Sequence, residues 1–370
     1  MYRSLTLSAA LLLAAVVPDA AARPDPAVEA EVRAVETSLP AVRLEGRAEA
    51  DLPLQGWMEA LDIPGLSLAV IEGANVVWAR GYGVLASGGE ELVTAETLFQ
   101  SASISKPLTA LALLHHAERG VFDLDAPVND YLESWQVRTQ AGAVGQDVTL
   151  RQLLAHTAAI TPGGFPGYPE GELLPSLAEI LDGVPPATNP PARVVGQPGV
   201  QVQYSGLGFE IIELALTERL GRPFPEILDG SLFQPLRLAA TTTELVPAPP
   251  RGGIALGHDV DGAVLAGGWH RYPETAAAGI WSTPTELGRV LIEVHRALRG
   301  ESDRVISQAT AAQMLSEVID GEGLSWVLHL SGGALAGFSH SGGNAGFRAH
   351  VRMLPETGQG VVLMTNSDNG

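Results

Sequence analysis

The chain has 370 residues, 46% hydrophobic and 17% charged, with 42 glycines, 26 prolines and no cysteine. Its 22 basic residues face 42 acidic ones, for a formal charge of −20, so a phosphate backbone or an anionic lipid surface would repel it, and nucleic-acid binding is excluded. The missing thiols exclude disulfides, zinc–thiolate sites and a cysteine nucleophile, and the apolar content is too high for a disordered chain.

The N-terminus carries Arg3, an apolar stretch over 5–18, and Ala20-Ala21-Ala22 before Arg23. That is the pattern of a cleavable signal peptide, and its apolar part is too short to span a bilayer. Residues 1–22 are therefore read as a signal peptide, 23–49 as a polar, Pro-punctuated extension, and 50–370 as one domain. The expected product is periplasmic or secreted, without stable membrane insertion once the signal is removed.

Residues 55–61 predict a short helix. The runs 66–71 and 75–80, separated by Glu72-Gly73-Ala74, predict a hairpin. Helical spacing follows over 108–119, with Gly120 placed to end it. From about 120 to 275 helical patterns alternate with Pro/Gly loops, the clearest helices being 148–156 and 207–220. The Gly/Pro-rich stretch 161–191 reads as an ordered wall or lid. Ser282-Thr283-Pro284 opens a helix running to Leu298. Strands return at 324–330, 337–340, 348–354 and 360–364. Residues 366–369 supply helix N-cap types just before Gly370, as though a C-terminal helix should begin and is cut short. No internal repeat is present. The expected fold class is α/β of the α+β kind. An antiparallel sheet is built from both chain ends and flanked by helices, with a large helical insertion over about 120–275.

A single lysine, Lys106, stands among the 22 basic residues. A position that escapes so strong an arginine bias points to a group able to release its proton, which guanidinium cannot do. It lies in Ser103-Ile104-Ser105-Lys106, where the i, i+3 spacing puts amine and hydroxyl on one helical face. Pro107 is tolerated only in a first turn, so the helix begins close to Ser103, whose oxygen then sits at the positive end of the dipole. A neutral amine is one of the few groups that activates a serine.

Two further pieces bear on chemistry. Tyr204-Ser205-Gly206 follows the strand-like residues 200–203 and directly precedes the helix from Leu207. A tyrosine at such a junction projects into a cleft, where its phenol, beside a cation, can ionise and act as a base. His340-Ser341-Gly342-Gly343 ends a short strand. Its glycines let backbone approach a ligand, and an N–H there can complete an oxyanion hole with the N–H of Ser103. Taken singly, these are a packing tyrosine and an ordinary turn.

Other signals are poorer. Gly81-Tyr82-Gly83 followed by Ala86 approximates a dinucleotide fingerprint, but no helix opens after it. His258, Asp259 and Asp261 read as a solvated turn rather than metal ligands, His156 as a structural residue at a helix end, and His115 and His116 as helix-surface residues. No Gly-x-Ser-x-Gly elbow occurs, which argues against an α/β-hydrolase.

The order of these motifs resembles the serine β-lactamase and penicillin-binding-protein-like superfamily, and within it the class C β-lactamase-related hydrolases and esterases. The stretches that carry the resemblance are 98–106 around Ser103 and Lys106, 153–158 around His156, Tyr204-Ser205-Gly206, 278–284, and His340-Ser341-Gly342. It extends over about residues 50–370. The resemblance implies a β-lactamase/transpeptidase-like fold, Ser103 as acylated nucleophile, Lys106 as its activating partner and Tyr204 as general acid/base. His340 stands where the family has a lysine, and Ser341, Gly342 and Gly343 complete the substrate-binding element. No cofactor and no metal are implied. Two departures shift the expected substrate: Gly206 replaces the family's asparagine, and His340 removes a fixed positive charge. Both favour a small ester, a D-amino-acid amide or a short peptide over a β-lactam. A catalytically silent protein that binds cell-wall peptide or a protein partner is the alternative reading, and a β-lactamase the second.

Overall fold

A computed structural model describes residues 26–37, 52–142 and 148–370, so the stretch 1–22, read above as a signal peptide, lies outside the described residues. The chain divides into an N-terminal unit, residues 1–54, and a main unit from residue 55 onward. The described part of the first holds helix α1 (Pro26–Thr37), within the extension where the sequence predicts no element.

After α2 (Leu54–Ala60) the main unit makes the expected hairpin, β1 (Gly65–Glu72) and β2 (Asn75–Gly83). β3 (Phe99–Gln100) leads through a 3-10 turn, Ala102–Ile104, into α3 (Ser105–Ala117). There follow α4 (Leu150–Leu154), β4 (Ile160–Thr161), α5 (Leu177–Asp182) and β5 (Arg193–Val194). Next come α6 (Leu207–Leu220), α7 (Phe224–Leu228), α8 (Gln234–Leu236) and α9 (Thr275–Ala278). β6 (Trp281–Ser282), α10 (Pro284–Leu298) and α11 (Gln308–Met314) precede four strands. Those are β7 (Val327–Ser331), β8 (Ala334–Asn344), β9 (Phe347–Leu354) and β10 (Gln359–Thr365).

The main sheet is antiparallel, in the order β2-β1-β10-β9-β8-β7. The β1–β10 ladder, with Leu68 opposite Leu363, joins the two ends of the main unit, as the sequence predicts. β1 is mainly apolar, with Ser67 as a buried polar exception, and is buried on both faces over most of its length. β9 alternates, burying Phe347, Ala349, Val351 and Met353 while Arg348, His350 and Arg352 point away from the core. The amphipathic helix α10 lies on β1, β2, β9 and β10. It comes close because Gly288 carries no side chain; a Cβ there would stand 3.2 Å from Val76.

α3 and α6 have the opposite character. Every residue from Ser105 to Leu114 is buried, and so is nearly all of 207–216. Helices apolar on all sides belong inside, and α3, α6 and α9 pack on one another there. Thus the residue types that place a helix at the core also place Lys106 there, 1% exposed.

Several local expectations need correction. Residues 200–203 form no strand; β-type residues there lie in irregular backbone leading to α6. The strand expected from residue 324 starts at Val327, and the stretch 161–191 contains α5, held by a Ser176–Glu179 capping box. His340 does not end a strand: β8 continues to Asn344. His258 is fully buried rather than solvated, its Nδ1 donating to Asn366 O at 2.7 Å and its Nε2 accepting from Ser87 N at 2.9 Å. No helix begins within 366–370, where Asn366 is instead buried and donates to Leu85 O.

Candidate active site

The turn that carries Ser103 is fixed from several sides. Ile280 O accepts from Ser101 N–H at 2.9 Å, and Ile280 N–H donates to Ser105 Oγ at 3.1 Å. Ala102, immediately before Ser103, sits at φ +49°, a left-handed conformation that a non-glycine residue holds only under constraint. Gly342 of β8 lies against this turn. A Cβ there would collide with Ser101 O and stand 3.2 Å from Ser103 N.

Lys106 Nζ donates to Ser103 Oγ at 3.0 Å and to Ala277 O at 2.9 Å. It lies 4.9 Å from the Tyr204 ring centroid and 5.9 Å from that of Phe209. Burial lowers its pKa to about 7, against an opposing pull from the Glu210 charge. The amine is therefore available in its neutral form near neutral pH.

Beneath it, α9 is clamped between α3 and α6. Ala277 N–H donates to Glu210 Oε1 and Ala276 N–H to Glu213 Oε2, each at 3.0 Å. On the carbonyl side Thr109 Oγ1 donates to Ala276 O and Lys106 to Ala277 O. Glutamates thereby satisfy N–H groups that the start of a short helix leaves unpaired. Burial holds Glu210 well above the usual carboxyl range, Glu213 up to about 8 and Glu274 up to about 7. Sequence reasoning missed all three, although a carboxylate in Leu207-Gly208-Phe209-Glu210-Ile211-Ile212 is an anomaly readable in the chain.

Tyr204 reaches the site from a loop. Gln203 N–H donates to His156 O at 2.7 Å and Ser205 N–H to His156 Nδ1 at 3.1 Å. The two rings are in contact, centroids 4.3 Å apart and planes tilted by 40°. Because Nδ1 accepts, His156 is neutral, in keeping with a pKa pushed well below its usual value first by burial and then by the Lys106 charge. The Tyr204 residue is 41% exposed, yet burial about the phenol pushes its pKa up to about 12, with a hydrogen bond to Ser103 pulling the other way. The phenol thus stays protonated near neutral pH, contrary to the ionisable phenol that the sequence suggests. Ser205 Oγ accepts from Gly208 N–H at 2.9 Å and so serves the start of α6. Gly206 has no room for a side chain: a Cβ would stand 2.6 Å from Phe165 and 2.9 Å from Gly163 O.

His340 is 6% exposed and its pKa falls to about 3, first by burial and then by the Lys106 charge. It is neutral. Its Nδ1 lies 2.8 Å from Ser341 O, a group that only accepts, so Nδ1 carries the proton and Nε2 the lone pair. Ser341 Oγ pairs with His350 Nδ1 at 2.9 Å. The structure brings Ser103, Tyr204, His340 and the strand from Ser341 to Gly343 to one cleft of about 470 Å³, to which His156 and Glu322 also contribute. Lys106 is buried behind Ser103 rather than lining the cleft. Among the described residues no cluster of acidic and histidine side chains is arranged to hold a metal ion.

A serine paired with a buried amine and flanked by a tyrosine, on a mixed helix and antiparallel-sheet scaffold, defines the class: serine hydrolases of the β-lactamase and penicillin-binding-protein kind. The family model described as Beta-lactamase matches residues 54–370, and the chain belongs to that family. It is 28% identical over 347 residues to penicillin-binding protein 4 of Amycolatopsis lactamdurans, covering 84% of each chain. It is 25% identical over 325 residues to the D-alanyl-D-alanine-carboxypeptidase/endopeptidase AmpH of Escherichia coli strain K12, covering 82% of this chain and 80% of that one. The D-amino acid amidase of Ochrobactrum anthropi SV3 superposes with a TM-score of 0.66 at 21% identity, over 84% of this chain and 87% of that one.

Proposed function

We propose that the protein is an exported serine hydrolase that works through an acyl-enzyme on Ser103, cleaving an ester, a D-amino-acid amide or a short peptide. The observation that carries this reading is the Lys106 amine. It is buried, it stands 3.0 Å from Ser103 Oγ, and its other hydrogen-bond partner is a backbone carbonyl rather than a carboxylate. An amine so placed is not pinned as an ammonium and can take the hydroxyl proton.

In this reading Ser103 Oγ attacks the substrate carbonyl carbon as its proton passes to Lys106 Nζ. The oxygen that becomes negative is held by the Ser103 N–H and an N–H of the Gly342-Gly343 pair. Collapse expels the leaving group, which takes a proton from Lys106, with the Tyr204 hydroxyl as the neighbouring donor. Water then attacks the ester on Ser103, its proton returning through Lys106 and the serine oxygen leaving protonated. A neutral His340 and a Gly206 without space for an amide support ester and amide substrates over β-lactams. Export rests on the sequence of residues 1–22; among the described residues no helix is long and apolar enough to cross a membrane.

Labelling by a fluorophosphonate probe tests the reading. Wild type is expected to label stoichiometrically and Ser103→Ala not at all. A folded wild type that takes no label, and turns over no p-nitrophenyl ester, sinks it in favour of a silent binding protein.

A further inference from the structure

The charges lining the cleft are unevenly matched. His156 and His340 are neutral. Arg348 is committed elsewhere: its Nη1 lies 2.9 Å from Asp368 Oδ1 and donates to Asn344 O and Phe347 O, each at 2.8 Å. Glu322 is left. Among the described residues its carboxylate has no hydrogen-bonding or ionic partner, although it is half-buried in the cleft wall.

Its backbone, by contrast, is fully engaged. Asp320 and Gly321, at φ +49° and +80°, make a tight turn closed by Glu322 N–H on Ile319 O at 2.8 Å. Val318 N–H donates to Glu322 O at 2.7 Å, and Glu322 bridges to Val327 at the start of β7. The side chain is thus presented from a fixed point on the cleft wall that also holds Ser103 and Tyr204. A half-buried carboxylate without a counter-ion keeps the desolvation penalty of its charge uncompensated. Burial raises the Glu322 pKa to about 7, and its charge in turn raises that of Tyr204. A cation entering the cleft would relieve this, and among the described residues no lysine or arginine pairs with Glu322.

We propose that Glu322 is a specificity-determining residue that receives an ammonium group of the substrate, so that the favoured class is amides, esters or short peptides with a free amine, ahead of those bearing a carboxylate. The proposal rests on the reading of Ser103 as the nucleophile of this same cleft, but its test does not require turnover.

Binding is measured by titration calorimetry in the Ser103→Ala background with three D-phenylalaninamide ligands: the free amine, the N-formyl derivative and the N-succinyl derivative. The free amine is expected to bind at least about tenfold more tightly than the neutral formamide, in line with a charge pair shielded from bulk water. Glu322→Gln should collapse that ratio by about the same factor. Glu322→Lys should invert the order, so that the succinylated ligand binds best. A ratio that Glu322→Gln leaves in place overturns the ammonium site, as does a wild-type cleft that prefers the anionic ligand. Absent fluorophosphonate labelling would overturn the catalytic reading alone and leave the binding ratio standing.

Discussion

His156 holds Tyr204 from both sides: its carbonyl oxygen and its Nδ1 accept from the N–H groups of Gln203 and Ser205, and its ring lies tilted against the phenol ring, centroids 4.3 Å apart. A loop tyrosine without this clamp would have several rotamers open to it. His156→Phe keeps an aromatic ring against the phenol and removes the Nδ1 acceptor. We expect kcat to fall by about tenfold or more, the cost of a small misplacement of a reacting group, with KM little changed. Steady-state kinetics on a p-nitrophenyl ester reads this. A loss confined to soluble yield, with kcat per folded molecule intact, would reduce His156 to a folding role.

The pH dependence follows from Lys106. With its pKa lowered to about 7, the free amine is scarce below that pH and dominant above it. Acylation should therefore rise with pH through about 7 and level off, whereas an unperturbed lysine would place the limb above ~10. Burst-phase acylation across the pH range checks it. Lys106→Arg should lose acylation nearly as completely as Lys106→Ala, since arginine keeps the charge and cannot give up the proton. An active Lys106→Arg enzyme would leave lysine as an electrostatic post and pass the base role to Tyr204.

How far the residues announce this site depends on where each interaction runs. β9 alternates along Phe347-Arg348-Ala349-His350-Val351, so its strand is legible in the chain. Ser103 and Lys106 are legible too, because their contact spans three positions of one helical turn. Tyr204 is only half so: Val200 and Val202 suggest a strand, but the backbone that follows is bound to His156, in a separate stretch of chain. His258 misleads for the same reason, its partner being Asn366. The strained φ of Ala102 leaves no trace in the sequence, where glycine would be expected. Glu322 carries no pattern either; only the cleft shows that, among the described residues, its carboxylate lacks a partner.

Lys106 should also cost the fold stability. Between about pH 7 and 10.5 the unfolded chain binds a proton at this lysine that the native state does not, so stability rises with pH across that window and the full penalty applies below it. The shift corresponds to on the order of 4 kcal/mol at neutral pH. Lys106→Met removes the buried amine along with its bonds to Ser103 and Ala277. The variant should melt several degrees above wild type at about pH 6, with the gap closing by about pH 10. Taking the difference between the two proteins removes most of the titration of Glu213 and Glu274, whose raised pKa values act in the opposite direction as pH rises. A gap independent of pH would mean that the amine is not desolvated as its surroundings imply.

Gly342 and Gly343 are neighbours in β8 with different surroundings, which makes them a controlled pair. At Gly342 a Cβ would strike Ser101 O and come within 3.1 Å of Ala102 Cβ and 3.2 Å of Ser103 N, so the strand or the nucleophile turn would have to move. At Gly343 the nearest atom would be Arg348 Cδ at 3.6 Å, ordinary van der Waals contact. Gly342→Ala should therefore separate β8 from Ser103, lowering stability by about 1–3 kcal/mol through overpacking and kcat/KM by about a hundredfold through a misplaced oxyanion donor. Gly343→Ala should lose much less of both. The measurement is kcat/KM beside a melting curve for each variant, so that activity per folded molecule is compared. If Gly342→Ala keeps wild-type acylation, the approach of β8 to Ser103 is packing alone, and the oxyanion donors lie elsewhere in the cleft.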